Sequence, residues 1–186
     1  LFEMMDLTRK ALPNPGHVAL AELESMGLLQ SVITQNIDNL HQAAGSARVI
    51  EYHGNVSRLQ CIHCGSSCKD FDYNIHEIAG NRIPPLCRGC GEIMKPSVIL
   101  FGETIPRDAM MESEEAAQRA EVVLVVGTSA VVYPAAGIPL IAKRNSARII
   151  EFNMESTDLT RYATDLLVLG KAGATLPELV KRIKSR

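Results

Sequence analysis

Two Cys-x-x-Cys pairs constrain the fold of this chain more than any other feature of its sequence. Two intervening residues let a tight turn present both thiolates to one ion, and two such turns complete the tetrahedral four-sulfur set that Zn²⁺ favours. The predicted ligands are Cys61, Cys64, Cys87 and Cys90. Because four protein ligands leave no open position, we expect a single structural zinc, which would stabilise a segment of about 40 residues that is too short to build its own core.

The remaining cysteine, Cys68, is predicted to take no part in the zinc site, and His63 could be a ligand only if a thiolate position were vacant. All 5 cysteines lie within residues 61–90, whereas disulfides in a small secreted chain would be more widely spread. Because the start shows no signal-peptide pattern, we predict a cytoplasmic protein. The net charge of -2 argues against nucleic acid as a partner, and no apolar run approaches the ~18 residues of a membrane span.

On both sides of residues 56–97, short apolar runs alternate with segments of helical periodicity. Strands are predicted at the apolar run Val32-Ile33 within 28–34, and at 49–52, 98–101, 122–126, 148–152 and 166–169. Helices are predicted at 4–11, 15–26, 108–120, 134–143 and 176–184, with a short one ending at 44. This alternation indicates an α/β fold: a Rossmann-type doubly wound parallel sheet (1–55 and 98–186) with a small inserted zinc module (56–97). The run at 122–126 is expected to be buried on both faces.

Two strand ends carry residues suited to a nucleotide. Gly127, Thr128 and Ser129 follow one strand directly, and a small-residue turn before a helix is the arrangement that holds phosphate in Rossmann folds. Asn153 and Glu155 follow the next strand, where polar residues commonly bind ribose hydroxyls. Taken alone, both segments could equally be plain connecting turns.

Two further positions favour catalysis. Gln35, Asn36 and Asp38 follow an apolar strand, where loops often host chemistry, although Asp38 or Asn39 could simply cap a helix. His53 ends another strand and could act as a general base near neutral pH. For a lone histidine, however, a buried structural role is the commoner one.

Several motifs together closely resemble the sirtuin family of NAD-dependent deacylases. They occur in the family's order and cover essentially the whole chain: 13–17, 34–41, His53-Gly54, the paired cysteines, 95–103, 127–129 and Asn153. The resemblance implies NAD as cofactor, one structural zinc, and acyl-lysine proteins or peptides as substrates. It also implies transfer of the acyl group to ADP-ribose with release of nicotinamide, in which His53 takes a proton from a ribose hydroxyl.

The resemblance also implies a role for each matching position. His53 and Asn36 are implied to be catalytic, and residues 99–103 to form a strand that pairs with the substrate peptide through Ile99, Phe101, Gly102 and Glu103. The residues implied to contact NAD are Gln35, Asn36, Ile37, Asp38, Gly127, Thr128, Ser129, Asn153, Met154, Glu155 and Ala172.

The family's glycine-rich loop and first strand find no match in residues 1–33. We therefore expect this chain, as an incomplete form, to bind NAD poorly and to have little activity, since the sheet would lack a central strand. Preference among acetyl, succinyl and malonyl groups stays open. Two alternatives remain: a non-catalytic interaction module that combines a zinc ribbon with a Rossmann scaffold, and a nicotinamide oxidoreductase, which the fold alone would allow.

Overall fold

Helices and parallel strands alternate along the computed structural model, which describes residue 8, residues 10–69 and residues 84–185. The helices are α1 (Pro15–Ser25), α2 (Leu40–Ala43), α3 (Arg107–Arg119), α4 (Ile138–Arg144), α5 (Asp158–Tyr162) and α6 (Ala172–Lys184), and a 3₁₀ turn, Ala135–Gly137, precedes α4. The strands are β1 (Val32–Thr34), β2 (Val49–Glu51), β3 (Gly54–Cys61), β4 (Ser67–Lys69), β5 (Met94–Val98), β6 (Val122–Val126), β7 (Arg148–Asn153) and β8 (Leu166–Leu169).

Helix α1 begins where the local sequence provides a cap. The Asn14 side chain accepts hydrogen bonds from the backbone N–H groups of Gly16 and His17, at 2.8 and 3.3 Å. In return, the His17 ring accepts the backbone N–H of Asn14 at 3.2 Å. Pro15 occupies the first helical turn, where its missing N–H costs nothing. The predicted start of this helix is therefore confirmed.

The parallel strands form two ladders among the described residues. Strands β6, β7 and β8 pair in chain order, and β1 pairs with β2 separately. Helices cover both faces of the three-stranded ladder. On one face, Ile149 of β7 packs with side chains of α3, α4 and α5; on the other, Phe152 packs with side chains of α1 and α6. This two-sided covering confirms the predicted α/β class.

Four expectations need correction. Strand β6 is not buried throughout: Val122 is 51% exposed, because β6 pairs with β7 alone among the described strands. Helix α4 begins at Ile138 rather than 134, after the 3₁₀ turn. Helix α6 begins four residues before the predicted 176. Strand β5 covers 94–98 rather than 98–101, since its antiparallel pairing with β3 ends at Val98. The predicted helix at 4–11 falls mostly outside the described residues.

A separate antiparallel sheet carries the cysteines. Its strands lie in the order β4-β3-β5, within the part of the chain where the zinc module is predicted. Its small core includes Val56, Leu59 and Met94, together with the buried Cys61 and Cys87. The sulfurs therefore lie at the edge of the apolar cluster, so that a bound metal would close the core of this sheet.

The four predicted ligands meet in a geometry that fits zinc. The sulfurs of Cys61, Cys64, Cys87 and Cys90 all lie within 4.8 Å of one another. Cys61 and Cys90 are 3.5 Å apart, and Cys64 and Cys87 are 3.7 Å apart. A tetrahedral zinc with Zn–S bonds of about 2.3 Å requires sulfur separations of about 3.8 Å. The set therefore suits a closed four-thiolate zinc site.

Ser66 is a contact that the cysteine spacing did not reveal. Its hydroxyl lies 2.9 Å from the Cys64 sulfur and 3.2 Å from the Cys87 sulfur. Hydrogen bonding to this hydroxyl lowers the pKa of both thiols, which favours the thiolate form that binds metal. Cys68 lies on β4 outside the four-sulfur cluster, as expected.

No helix within the described residues is long and apolar enough to cross a bilayer. The longest of them, α3 and α6, have 13 residues each, whereas a membrane span needs about 20.

Substitution of Cys87 by Ser should abolish zinc binding, because three thiolates cannot complete the tetrahedral set. We expect the zinc content to fall from one ion per chain to near zero, and the unfolding transition of the variant to move to lower temperature. Zinc content is measured by atomic emission, and stability by thermal unfolding. Cys68→Ser is the matched control and should keep its zinc. Full zinc content in the Cys87 variant would contradict the four-thiolate site.

A second prediction concerns Asp165, which precedes β8 and ties the amino end of the sheet to α4. Its carboxylate accepts hydrogen bonds from Lys143 at 2.7 Å and from the Ile149 backbone at 2.8 Å. The Lys143 contact, followed by that of Ile149, lowers its pKa from 3.8 to about 2. A carboxyl group whose pKa is depressed in the folded state stabilises the fold at pH values above its pKa in the unfolded state. This contribution is lost as the pH falls through the pKa of the folded state.

Asp165→Asn should therefore be less stable than the parent chain at pH 7, and the difference should shrink as pH falls from about 5 to about 2. Urea unfolding of both proteins at each pH provides the measurement. Glu178→Gln, which breaks an exposed ion pair with Arg182, is the control and should change stability little. A stability difference that stays constant over this pH range would refute the role of the charge.

Candidate active site

A cleft of about 290 Å³ opens at the carboxyl ends of β6 and β7. It is lined by the turn that follows β6, the segment that follows β7 and the exposed side of α5. Its residues are Gly127, Thr128, Ser129, Val131, Asn153, Glu155, Ser156, Thr157, Asp158 and Arg161. Parallel pairing explains the location, because it brings equivalent strand ends to one edge of the sheet.

Hydrogen bonds join the two strand ends. The Gly127 N–H donates to the Phe152 carbonyl at 2.9 Å, and the Asn153 amide donates to the Thr128 carbonyl at 2.9 Å. Within the first turn, the Ala130 N–H donates to the Thr128 hydroxyl at 3.1 Å. Two segments that are ordinary turns when read separately thus form one wall. Gly127 has φ +58°, and no other atom lies where its side chain would be, so the backbone here is open to a ligand.

Part of this cleft was missed in the sequence. It is also lined by four residues that lie beyond Asn153 and Glu155, the residues predicted at the end of this strand: Ser156, Thr157, Asp158 and Arg161. The start of helix α5 could have predicted these residues. Thr157 caps this helix, and its backbone N–H donates to the Thr160 hydroxyl at 2.8 Å. A capped helix directly after a strand end must bring its first turn to the same edge of the sheet.

The loop after β1 is held by its own side chains. The Asn36 N–H donates to the Thr34 hydroxyl at 3.1 Å, and the Leu40 N–H donates to the Asp38 carboxylate at 3.0 Å. Asp38 thus supplies the helix-capping contact that was one of the two interpretations. Asn39 has φ +64° and makes no capping contact with its side chain.

Strand β3 fixes this loop from the other side. The Val56 N–H donates to the Ile37 carbonyl at 2.9 Å, and the Asn55 amide donates to the Asn39 side chain at 3.1 Å. Asn55 is buried and also contacts Glu51. Its contribution could not be read from the sequence, because it depends on β3 lying beside the loop.

His53 lies in the turn between β2 and β3 and is half-buried. Its Nδ1 is 3.2 Å from the Gln35 carbonyl oxygen. A carbonyl oxygen can only accept, so Nδ1 carries the proton in this hydrogen bond and Nε2 is left as the basic nitrogen. The Tyr52 ring packs edge-on against the imidazole, with ring centroids 5.6 Å apart. This histidine is therefore oriented by the same loop that carries Gln35, Asn36 and Asp38.

The histidine and the cleft border one hydrophobic core. Tyr52, next to His53, and Ala130, next to Ser129, belong to the same buried cluster, and Ile33 of β1 packs against it. The two groups of predicted residues, 35–53 and 127–155, therefore flank a shared core.

The segment 99–103 differs from its predicted form. It is not a strand: residues 101–103 form a turn, and Gly102 has φ +88°. Glu103 holds this turn, because its carboxylate accepts the Leu100 N–H at 3.0 Å and contacts Lys95 at 2.6 Å. The Ile99 N–H donates to the His53 carbonyl at 3.0 Å, which places the segment beside the histidine. Phe101 is 98% exposed.

Six predicted cofactor residues lie outside the cleft lining: the loop residues Gln35, Asn36, Ile37 and Asp38, and in addition Met154 and Ala172. Ala172 begins α6, and its carbonyl lies close to Gly16 of α1. Met154 is 69% exposed, and its backbone N–H donates to the Asn153 side chain at 2.9 Å. Their predicted roles as NAD contacts stay predictions.

Known proteins match this chain along most of its length. The Sir2 family matches residues 1–134. A NAD-dependent protein deacylase from Thermococcus kodakarensis is 48% identical over 177 residues, which cover 94% of this chain and 68% of that protein. NAD-dependent protein deacylase 2 from Pyrobaculum aerophilum is 49% identical over 176 residues, which cover 95% of this chain and 68% of that protein.

Solved structures give the same result for the fold. A mutant Sir2 homologue in complex with ADP-ribose has a TM-score of 0.91 at 40% identity, covering 99% of this chain and 72% of that one. Sir2 bound to an acetylated peptide has a TM-score of 0.88 at 36% identity, covering 96% of this chain and 74% of that one. Because sequence and fold agree over nearly the whole chain, the protein belongs to the Sir2 family, the sirtuins.

Proposed function

We propose that this protein is a NAD-dependent protein-lysine deacylase that transfers the acyl group to ADP-ribose and releases nicotinamide. The observation that carries the proposal is the hydrogen bond between His53 Nδ1 and the Gln35 carbonyl, which leaves a basic nitrogen beside the loop predicted to hold the nicotinamide ribose. The names of the relatives from Thermococcus and Pyrobaculum support it, as do the ADP-ribose and the acetylated peptide in the two structural neighbours.

The residues of the cleft fit the adenosine side of NAD. The hydroxyls of Thr128 and Ser129 are donors suited to phosphate, and the empty space at Gly127 lets a ligand approach the backbone closely. Asn153 and Glu155, at the end of the neighbouring strand β7, are suited to ribose hydroxyls. When bound, NAD supplies a ribose carbon activated by its nicotinamide leaving group, and this makes attack by a weakly nucleophilic acyl oxygen feasible.

On the nicotinamide side, Gln35, Asn36 and Asp38 would hold the ribose and the carboxamide. His53 would take a proton from a ribose hydroxyl through Nε2, and the Gln35 carbonyl would stabilise the imidazolium that results. Positioned base catalysis of this kind contributes about 100- to 10,000-fold in rate. The four-thiolate zinc site has no open position, so its role is to support the fold and not the chemistry.

The acyl-lysine peptide would bind along residues 99–103. The Ile99 backbone is tied to His53, while Leu100 and Phe101 project apolar surface that is 56% and 98% exposed. A peptide that covers this surface would place its acyl-lysine next to the histidine. Main-chain pairing would tolerate varied sequences, which suits an enzyme that acts on many proteins.

Nicotinamide release is the discriminating assay, because it reports cleavage of NAD in any reaction of this class. Full-length protein is incubated with NAD and peptides that carry acetyl-, succinyl- or malonyl-lysine, and products are followed by chromatography. We expect release only when NAD and an acylated peptide are both present. NADH formation would support an oxidoreductase instead, and no NAD-dependent product with any peptide would support the non-catalytic interaction module.

His53→Asn should lower kcat by about 100- to 10,000-fold, because the ribose hydroxyl loses its base. The fold and the zinc content should be unchanged, as measured by circular dichroism and atomic emission. His63→Asn is the matched control: this histidine lies on the exposed cysteine turn and should not affect turnover. If His53→Asn retains near-normal turnover, His53 is not the general base.

A further inference from the structure

We propose that Glu151 is a positioning residue for the NAD cleft, because its buried carboxylate fixes the wall formed by residues 156–161. This inference rests on the proposed function, in which the cleft holds the adenosine side of NAD. Glu151 does not line the cleft itself. It acts through the hydroxyls of three threonines that precede, occupy and follow helix α5.

Glu151 has no solvent exposure and makes three hydrogen bonds to one segment. Its Oε1 accepts the Thr157 hydroxyl at 2.7 Å. Its Oε2 accepts the hydroxyls of Thr160 and Thr164, at 2.6 and 2.9 Å. The carboxylate thus spans α5 from the residue before its first turn to a residue beyond its end.

Strand alternation places Glu151 between the core and the cleft. Ile149, Glu151 and Asn153 point to the same face of β7, since side chains two apart share a face. Ile149 packs in the hydrophobic core of that face, whereas Asn153 lines the cleft. Glu151 therefore lies between the apolar core residue of this face and the residue that lines the cleft.

An apolar residue would be the ordinary choice for such a buried position. Burial alone raises the pKa of Glu151, but hydrogen bonds from Thr160, Thr157 and Thr164, and from Asn153, more than offset this effect and lower it. The side chain is therefore an ionised carboxylate that can only accept, so each hydroxyl must point towards it. This arrangement selects one orientation of the segment, which apolar packing by Leu159 and Ala163 would fix less tightly.

The fixed segment forms one side of the cleft. Ser156, Thr157, Asp158 and Arg161 line it opposite the Gly127–Ser129 turn. Without the ionised carboxylate, these residues would lose their fixed distance from Asn153 and Glu155. Binding of the adenosine part should weaken, while His53 and the loop at 35–38, which share no hydrogen bond with this network, should keep their chemistry.

The test compares Glu151→Gln and Thr164→Val with the parent, all as full-length, zinc-loaded protein. Glu151→Gln removes the charge at nearly constant volume. Thr164→Val removes one donor from a residue that does not line the cleft. Affinity for ADP-ribose is measured by calorimetry, and KM for NAD and kcat by nicotinamide release. Hydrogen exchange of residues 156–162 reports the order of the segment.

We expect Glu151→Gln to raise the Kd for ADP-ribose and the KM for NAD about tenfold, with faster exchange at 156–162 and kcat at saturating NAD within about twofold of the parent. Thr164→Val should shift the same quantities in the same direction by a smaller factor. Asp165→Asn is the matched control, because it weakens a similar network at the opposite end of the sheet. Its Kd for ADP-ribose should be unchanged.

A folded Glu151→Gln variant with the parent's Kd and KM would overturn the inference. An equal loss of ADP-ribose affinity in Asp165→Asn would also overturn it, since the effect would then follow stability alone. If Glu151→Gln does not fold, Thr164→Val decides, and an unchanged Kd there counts against the proposal. Failure of the parent protein itself to bind ADP-ribose would instead overturn the proposed function.

Discussion

The in-register parallel pairing of β6 with β7 is the constraint on which the site depends. Val126 lies opposite Phe152, so both strands end at the same level. The Gly127 N–H therefore reaches the Phe152 carbonyl of β7, and the Asn153 amide reaches the Thr128 carbonyl in the turn after β6. A shift of one residue in this register would turn every side chain to the opposite face and separate the two halves of the cleft.

The sheet that carries the cysteines joins the rest of the fold at the turn around His53. Gly54 begins β3 directly after His53, and a side chain at Gly54 would lie 2.0 Å from the Ser97 carbonyl oxygen. Only glycine allows β5 to approach this closely, and the same approach lets the Ile99 N–H reach the His53 carbonyl. The sheet that carries the four cysteines thus begins at the histidine, so a bound zinc that supports this sheet would also help to hold the proposed base.

Much of the fold could be predicted because it rests on local rules. The cap at Asn14 and the strands at 148–152 and 166–169 follow from neighbouring residues and periodicity, and the structure reproduces them closely. Predictions failed where non-local pairing decides. Strand β5 ends at Val98 because its pairing with β3 ends there, and residues 101–103 turn because Glu103 is held by Lys95 and the Leu100 backbone.

The sequence by itself determined the α/β class, the clustering of the four cysteines, the family and the two strand ends that carry polar residues, because each depends on the pattern of residues along the chain. Only the tertiary structure decided what these groups contact. The Gln35 carbonyl beside His53 and the three threonines around Glu151 come from segments that are distant until the sheet forms. Hydrogen-bond partners depend on this placement in space, which the spacing of residues along the sequence does not determine.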